Sequence, residues 1–374
     1  MLKAYKTEIK PTPEGKRQIN LTCKYCRKVY NLFIEQTKTD YENDLPYKGG
    51  MAFSLWFNNE YTQKVNPNFF DGNKVSSKAI KQSIMNADKA YKNFFKKSSG
   101  YPRFHKVGVR DSFYVPRNGD KDILVERHRL KIPTIGWVHL KEKNYVPTKL
   151  KPRSCTVSME GGRYYASVLF EVEEPIRPLV YGDGVGIDVG VKDTAILSDG
   201  TTLPTLVGNE KLRDLESKII KTQKKLSRKK KGSNNFYKMK RVLAKRHQEK
   251  ANKRNALLEE FSIRVVETLP AYVALEHLDI KEIMKNKYRA KQFREQALYL
   301  LKEKIVRRCH LLGIEVREAN QYYASSKICS GCQNKKQSLS LKERTYVCDC
   351  CELVIDRDLN AAINLKQLTA YKLI

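Results

Sequence analysis

The chain has 374 residues, enough for two or three domains and a large core. Lys and Arg number 72 against 41 Asp and Glu, a net charge of +31 that disfavours a compact chain unless a polyanion neutralises it, so nucleic acid is the expected partner. No apolar run approaches the roughly 18 residues of a spanning helix, and Met1-Leu-Lys-Ala-Tyr-Lys lacks a signal-peptide core. A soluble, cytoplasmic protein with no membrane association is expected, in which nine cysteines point to metal or burial and not to disulfides.

Residues 2–9 alternate apolar and polar and predict a strand. Thr12-Pro13-Glu14 then supplies a cap, a first-turn proline and an early acid. Ile19, Cys23, Cys26, Tyr30 and Phe33 follow at helical spacing. Cys23 and Cys26 have zinc-knuckle spacing, but on a buried helical face with no second pair nearby they read as core. Tyr41 to Phe70 is aromatic-rich and less regular. Ile80, Ile84, Ala87, Tyr91 and Phe94 mark a second amphipathic helix, expected to end at Gly100-Tyr-Pro, with Lys78, Lys81, Lys89, Lys92, Lys96 and Lys97 on its other faces. Short β-like runs fill residues 122–172, including a hairpin around Gly161-Gly162, and suggest a small barrel that residues 2–9 complete.

Val185-Gly-Ile-Asp188-Val is an apolar strand holding one acid, a costly placement unless the carboxylate is paired or binds metal. Residues 209–255 read as a basic helical hairpin broken at Leu226–Asn235, with a further helical stripe at Leu257, Phe261, Val265 and Leu269. Tyr272-Val-Ala-Leu-Glu276 is a strand ending in an acid; His277 is expected on the opposite face and is not counted as catalytic. Leu298, Leu301, Ile305, Cys309 and Leu312 form another stripe, stopped by Gly313 and followed by a strand. Cys329-Ser-Gly-Cys332 and Cys348-Asp-Cys350-Cys351 then offer two knuckles for a closed tetrahedral zinc site. Cys329, Cys332, Cys348 and Cys351 are the favoured ligands, with Cys350 open as a replacement for Cys348 or Cys351. Asp356-Arg-Asp358 precedes a helix, where an acid serves as a cap or as a ligand. Asp188, Glu276 and Asp358 lie 88 and 82 positions apart, so only a fold unites them. Strand acid, strand-edge acid and helix-start acid are the ingredients of a two-Mg²⁺ phosphodiesterase site.

Gly186-Ile-Asp188-Val-Gly, Leu275-Glu276-His-Leu, the two knuckles and Asp356-Arg-Asp358-Leu-Asn-Ala-Ala together resemble the TnpB (OrfB-type) family. These are transposon-encoded RNA-guided DNA endonucleases related to the type V CRISPR nucleases. Pro11-Thr-Pro and Asn93-Phe-Phe with Gly100-Tyr-Pro-Arg-Phe extend the likeness to the N-terminal half. The resemblance implies an α/β chain with an RNase H-like (RuvC) nuclease core, an inserted zinc ribbon, and an N-terminal wedge β-barrel carrying a helical recognition insert. By residue the expected division is 1–12 first barrel strand, 13–102 helical insert, 103–180 barrel, 181–325 nuclease with hairpin 209–255, 326–352 ribbon and 353–374 nuclease again. It further implies Asp188, Glu276 and Asp358 as catalytic acids holding two Mg²⁺, one structural Zn²⁺, and a guide RNA from the transposon end. Double-stranded target DNA beside a short motif, and a monomer acting on the prokaryotic nucleoid within a ribonucleoprotein, complete the expectation. The family has Gly after each knuckle where Gln333 and Glu352 stand here. A nuclease-dead guided repressor, an unguided transposase and an unguided resolvase are the rival readings; the presence of all three acids speaks against the first.

Overall fold

The computed structural model describes residues 1–107, 111–120, 122–173, 183–190, 193–279, 285, 290, 293, 296–340 and 343–374. The chain forms two compact units, Met1–Glu174 and Pro175–Ile374. The boundary expected between 180 and 181 lies outside the described residues.

In the first unit, strand β1 (Leu2–Lys10) leads into helix α1 (Pro13–Glu42), which Thr12 caps by accepting the Gly15 N–H at 3.1 Å. The expected stripe is buried from Ile19 to Phe33, with Cys23 and Cys26 inside the core. The region expected to be less regular is instead helical: α2 (Gly50–Trp56) runs into a π-helical segment, Phe57–Val65, whose wider turn sets Phe57, Tyr61 and Val65 at steps of four. Helix α3 (Ser77–Phe95) stops ahead of Gly100, because Lys97 takes the left-handed conformation (φ +56°) and its amide folds back onto the Phe94 carbonyl. Strands β2 (Asp111–Pro116), β3 (Leu124–Val125), β4 (Arg129–Ile132), β5 (Gly136–Leu140), β6 (Pro152–Glu160) and β7 (Arg163–Glu171) follow. They pair with β1 as a 7-stranded sheet in the order β2-β6-β7-β1-β5-β4-β3. Residues 2–10 thus sit between strands from the far side of the helices, and Gly161 and Gly162 (φ +57° and +80°) make the tight turn joining β6 to β7. Asp111 on β2 accepts from Arg27 on α1 at 2.6 Å, pinning helix to sheet.

The second unit is a 6-stranded sheet in the order β10-β9-β8-β11-β12-β15. Its strands are β8 (Val185–Asp188), β9 (Asp193–Leu197), β10 (Thr202–Pro204), β11 (Tyr272–Leu275), β12 (Glu315–Ala319) and β15 (Tyr371–Leu373). β8, β11 and β12 run parallel, while β9 and β15 are antiparallel to their neighbours. Between β10 and β11 rise α4 (Glu210–Ser227) and α5 (Asn234–Val266). The stripe at Leu257, Phe261 and Val265 belongs to α5 itself, so the hairpin's second arm and the following helix are one element, and Leu269 lies past its end. Helix α6 (Leu298–Leu312) ends at Gly313 (φ +73°). A small 2-stranded sheet, β13 (Thr345–Val347) with β14 (Val354–Asp356), precedes α7 (Arg357–Lys366). One face of the six-stranded sheet packs Ile187, Leu275 and Val316 with α5 and α6; the other packs Ala274 and Ala319 with Leu365 of α7.

Candidate active site

Parallel pairing places two acids side by side. Leu275 of β11 is in register with Ile187 of β8, so the next residues, Glu276 and Asp188, leave the sheet together at one edge. Asp188 is the last residue of β8, and not mid-strand as its apolar flanks suggest. Strand alternation turns Asp188 to the face of Gly186, and that face carries α7. Gly186 is what lets the helix come so close: a Cβ there would stand 2.0 Å from the Ala362 carbonyl oxygen and 2.4 Å from the Lys366 nitrogen. A glycine inside a strand signals close approach of another backbone, a clue not used in reading the sequence.

Asp358 lies in the first turn of α7. Asp356 is the cap, its Oδ1 accepting from the Asp358 and Leu359 amides at 2.9 and 3.2 Å. The Asp356 side chain is therefore engaged with the helix start, while the charge of Asp358 acts on both strand acids.

The three acids are half-buried, and their charges act on one another. Burial raises the Asp188 carboxyl well above the usual range, and the charges of Glu276 and Asp358 raise it further, against the pull of Arg357. Burial pushes Glu276 up to about 7, with Lys302 opposing and Asp358 adding to the rise. Its walls are Val189, Leu275, Leu278, Leu301 and Ile305, which explains the desolvation. Arg344 Nη1 stands 3.8 Å from Asp358 Oδ2. Such mutual repulsion in a poorly hydrated site is relieved by a cation, and three carboxylates suit the oxygen-rich shell of Mg²⁺. His277 turns away to Glu318 on β12, its Nδ1 3.2 Å from Oε1, and Lys302 bonds the same oxygen. That pairing was not foreseen, because nothing in the sequence aligns 277, 302 and 318.

The ribbon follows β12. Sulfurs of Cys329, Cys332, Cys348 and Cys351 all lie within 4.8 Å of one another, and the pairs Cys329–Cys351 and Cys332–Cys348 are 3.5 Å apart. Zn–S bonds of about 2.3 Å place tetrahedral sulfurs about 3.8 Å apart, so the donor set and its spacing fit zinc. Cys350 is outside the set; its amide donates to Cys348 Sγ at 3.4 Å. Gln333 and Glu352 both take the left-handed backbone (φ +63° and +57°) that a glycine would adopt at less cost. Among the described residues the four cysteines are the one set converging so tightly; the carboxylates stand wider.

Residues 167–287 match the OrfB_IS605 family model, described as "Probable transposase". Residues 299–365 match the "Cas12f1-like, TNB domain", and residues 1–45 a "Helix-turn-helix domain" of the same OrfB group. Models of the OrfB group thus match the chain at its start and across its middle. Over 97% of this chain and 91% of the relative, it is 28% identical to the "Putative RNA-guided DNA endonuclease InsQ" of Escherichia coli (strain K12). A "Putative RNA-guided DNA endonuclease" of Streptomyces pristinaespiralis is also 28% identical, over 97% and 88% of the two chains. In fold it resembles the chain in "Cryo-EM structure of the Cas12f1-sgRNA-target DNA complex", with TM-score 0.57 at 14% identity over 96% and 83% of the two chains. The name of the N-terminal match does not describe its shape here: residues 13–42 are one unbroken helix behind a strand.

Proposed function

We propose that this chain is an OrfB-type, RNA-guided, Mg²⁺-dependent DNA endonuclease of a transposable element. Its second unit acts as an RNase H-like (RuvC) nuclease with an inserted zinc ribbon, and its first as a wedge barrel with a helical recognition insert. The observation that carries the reading is the seating of α7 on Gly186, with the charges of Asp358 and Glu276 acting on the strand-end acid Asp188. Relatives named RNA-guided DNA endonucleases along nearly the whole chain support it.

Asp188, Glu276 and Asp358 would hold two Mg²⁺, which supply Lewis acidity for phosphodiester hydrolysis when bound. The chain's own part is to fix these carboxylates on two strand ends and one helix start, in a site whose apolar walls limit water. Cys329, Cys332, Cys348 and Cys351 would hold one Zn²⁺. Phosphate contact falls above all to the α4–α5 hairpin, where residues 210–255 hold eighteen Lys and Arg against four acids, most of the cations exposed. A guide RNA from the transposon end reads the target by pairing, the chain grips backbone and a short adjacent motif, and it works as a monomer within the ribonucleoprotein.

The test is cleavage of supercoiled plasmid with and without transposon-end RNA. Asp188→Ala, Glu276→Ala and Asp358→Ala should each abolish cutting, by roughly a thousandfold or more, and leave RNA and target binding intact, since none removes a phosphate-gripping cation. Full cleavage by Asp188→Ala would refute the acid site, and cutting without RNA would refute guidance.

A further inference from the structure

Two asparagines of α7 are fully buried, and neither belongs to the acid site or to the set of four cysteines. Asn360 Nδ2 donates to the Ile328 carbonyl at 2.7 Å, and its Oδ1 accepts the Ser330 amide at 2.9 Å. Asn364 Nδ2 donates to the Ser325 and Ile328 carbonyls at 2.8 and 2.6 Å. At i and i+4 they share one side of the helix, and both grip the strand of chain that enters the first knuckle at Cys329. On another side Ala362 rests on Gly186.

The second knuckle holds the helix from its start. β14 leaves Cys351 and ends in the cap Asp356, and the next residue, Arg357, donates from Nη1 to the Ser340 carbonyl at 3.1 Å. The first turn of α7 is thereby tied to both halves of the ribbon. Burying carboxamides costs more than burying leucines unless the polar atoms find partners, and a simple apolar face would attach the helix as firmly. Of the four side-chain polar atoms, Asn364 Oδ1 alone finds none among the described residues. What bonded amides add is direction: a hydrogen bond fixes where along its axis a helix sits, whereas apolar contact lets it slide.

We propose that Asn360 and Asn364 are positioning residues for Asp358, transmitting the closure of the four-cysteine loop to the acid. The proposal rests on the metal-binding role given above to Asp188, Glu276 and Asp358. Its consequence is that an ion held by four sulfurs governs affinity for an ion held by none of them.

The test uses the full-length chain with its guide RNA and Mn²⁺ alone as probe, its binding followed by electron paramagnetic resonance. Asn360→Ala should retain about one zinc per chain and normal target binding. Its Mn²⁺ affinity should fall at least ~5-fold, and its cleavage rate on the order of 100-fold, the scale of a misplacement of about 1 Å. Displacing zinc from the wild-type chain with an organomercurial, which binds thiols and not carboxylates, should lower Mn²⁺ affinity by a similar factor; this arm stands even if the variant folds poorly. Unchanged Mn²⁺ affinity after zinc displacement overturns the proposal. So does loss of zinc from Asn360→Ala, which would assign the amides to the ribbon's own fold. Unaltered Mn²⁺ binding by Asp358→Ala overturns the acid-site reading instead.

Discussion

Cys23 and Cys26 lie one turn apart on α1, whereas Cys329 and Cys332 flank a tight turn that bends back on itself, the Gln333 amide reaching the Cys329 carbonyl at 2.9 Å. The spacing in sequence is identical. On the helix both sulfurs face a dry core, and burial pushes each thiol up to about 12, so they behave as small hydrophobes. In the ribbon the amides of Cys351 and Cys350 point at Cys348 and bring it down to about 6, whereas at Cys332 the Asn334 amide is outweighed by burial and the neighbouring thiols, which hold it up at about 12. Spacing alone therefore does not define a metal knuckle; what does is a turn that leaves its sulfurs free to meet a second pair, as the four sulfurs of the ribbon do within 4.8 Å.

The largest effect that tests this contrast comes from Cys348→Ser. Metal content should drop from about one zinc per chain to nearly none, with loss of a large part of the ~10 kcal/mol that structural zinc contributes. Metal analysis and thermal unfolding read it. Replacing Cys23 and Cys26 together by Ser should leave zinc unchanged but cost roughly 1–3 kcal/mol at each site, because a hydroxyl replaces an apolar sulfur in the core; zinc loss here would refute the core assignment.

Carboxylates obey the same rule as the helix thiols. Glu276 in the metal-free chain is raised from 4.5 to about 7, so the folded state binds its proton more tightly than the unfolded chain. That contribution favours folding at the acid end and is lost as pH rises from about 4.5 through about 7, on the order of 3 kcal/mol in all. Melting of metal-free protein should show this decline, Glu276→Gln should flatten it, and added Mg²⁺ should stabilise most at the alkaline end. The smallest effect is expected from Gln333→Gly and Glu352→Gly, which relieve left-handed strain and should each add about 1 kcal/mol by thermal denaturation.

What could be read from sequence was whatever repeats or recurs locally. The stripe from Ile19 to Phe33, the Gly161-Gly162 hairpin and the double knuckle each follow from spacing over a few residues. The acids stand out as separate oddities, a charge in an apolar strand or at a helix start, which the chemistry of a two-metal site and then family likeness join. Lost to such reading were features whose period shifts or breaks off. The π-helical segment at 57–65 spaces Phe57, Tyr61 and Val65 at steps of four, and in α5 the short stripe Phe236, Met239 and Leu243 gives way to charged residues before it resumes at Leu257, which splits one helix in two on reading. The roles of Gly186, Asn360 and Asn364 depend on what approaches them from far along the chain.

That distance bears on the order in which the molecule assembles. The sulfurs of Cys329 and Cys351 are separated by 22 residues, a short loop to close. Strand β8 must instead find β11 in parallel across the whole α4–α5 hairpin, then receive α7 against Gly186. Parallel pairing between distant segments is slow, since its entropy is lost before contacts form. During refolding, metal uptake by the ribbon should precede the meeting of the three acids, so a form with its four cysteines closed and its acids still apart should come before the native one.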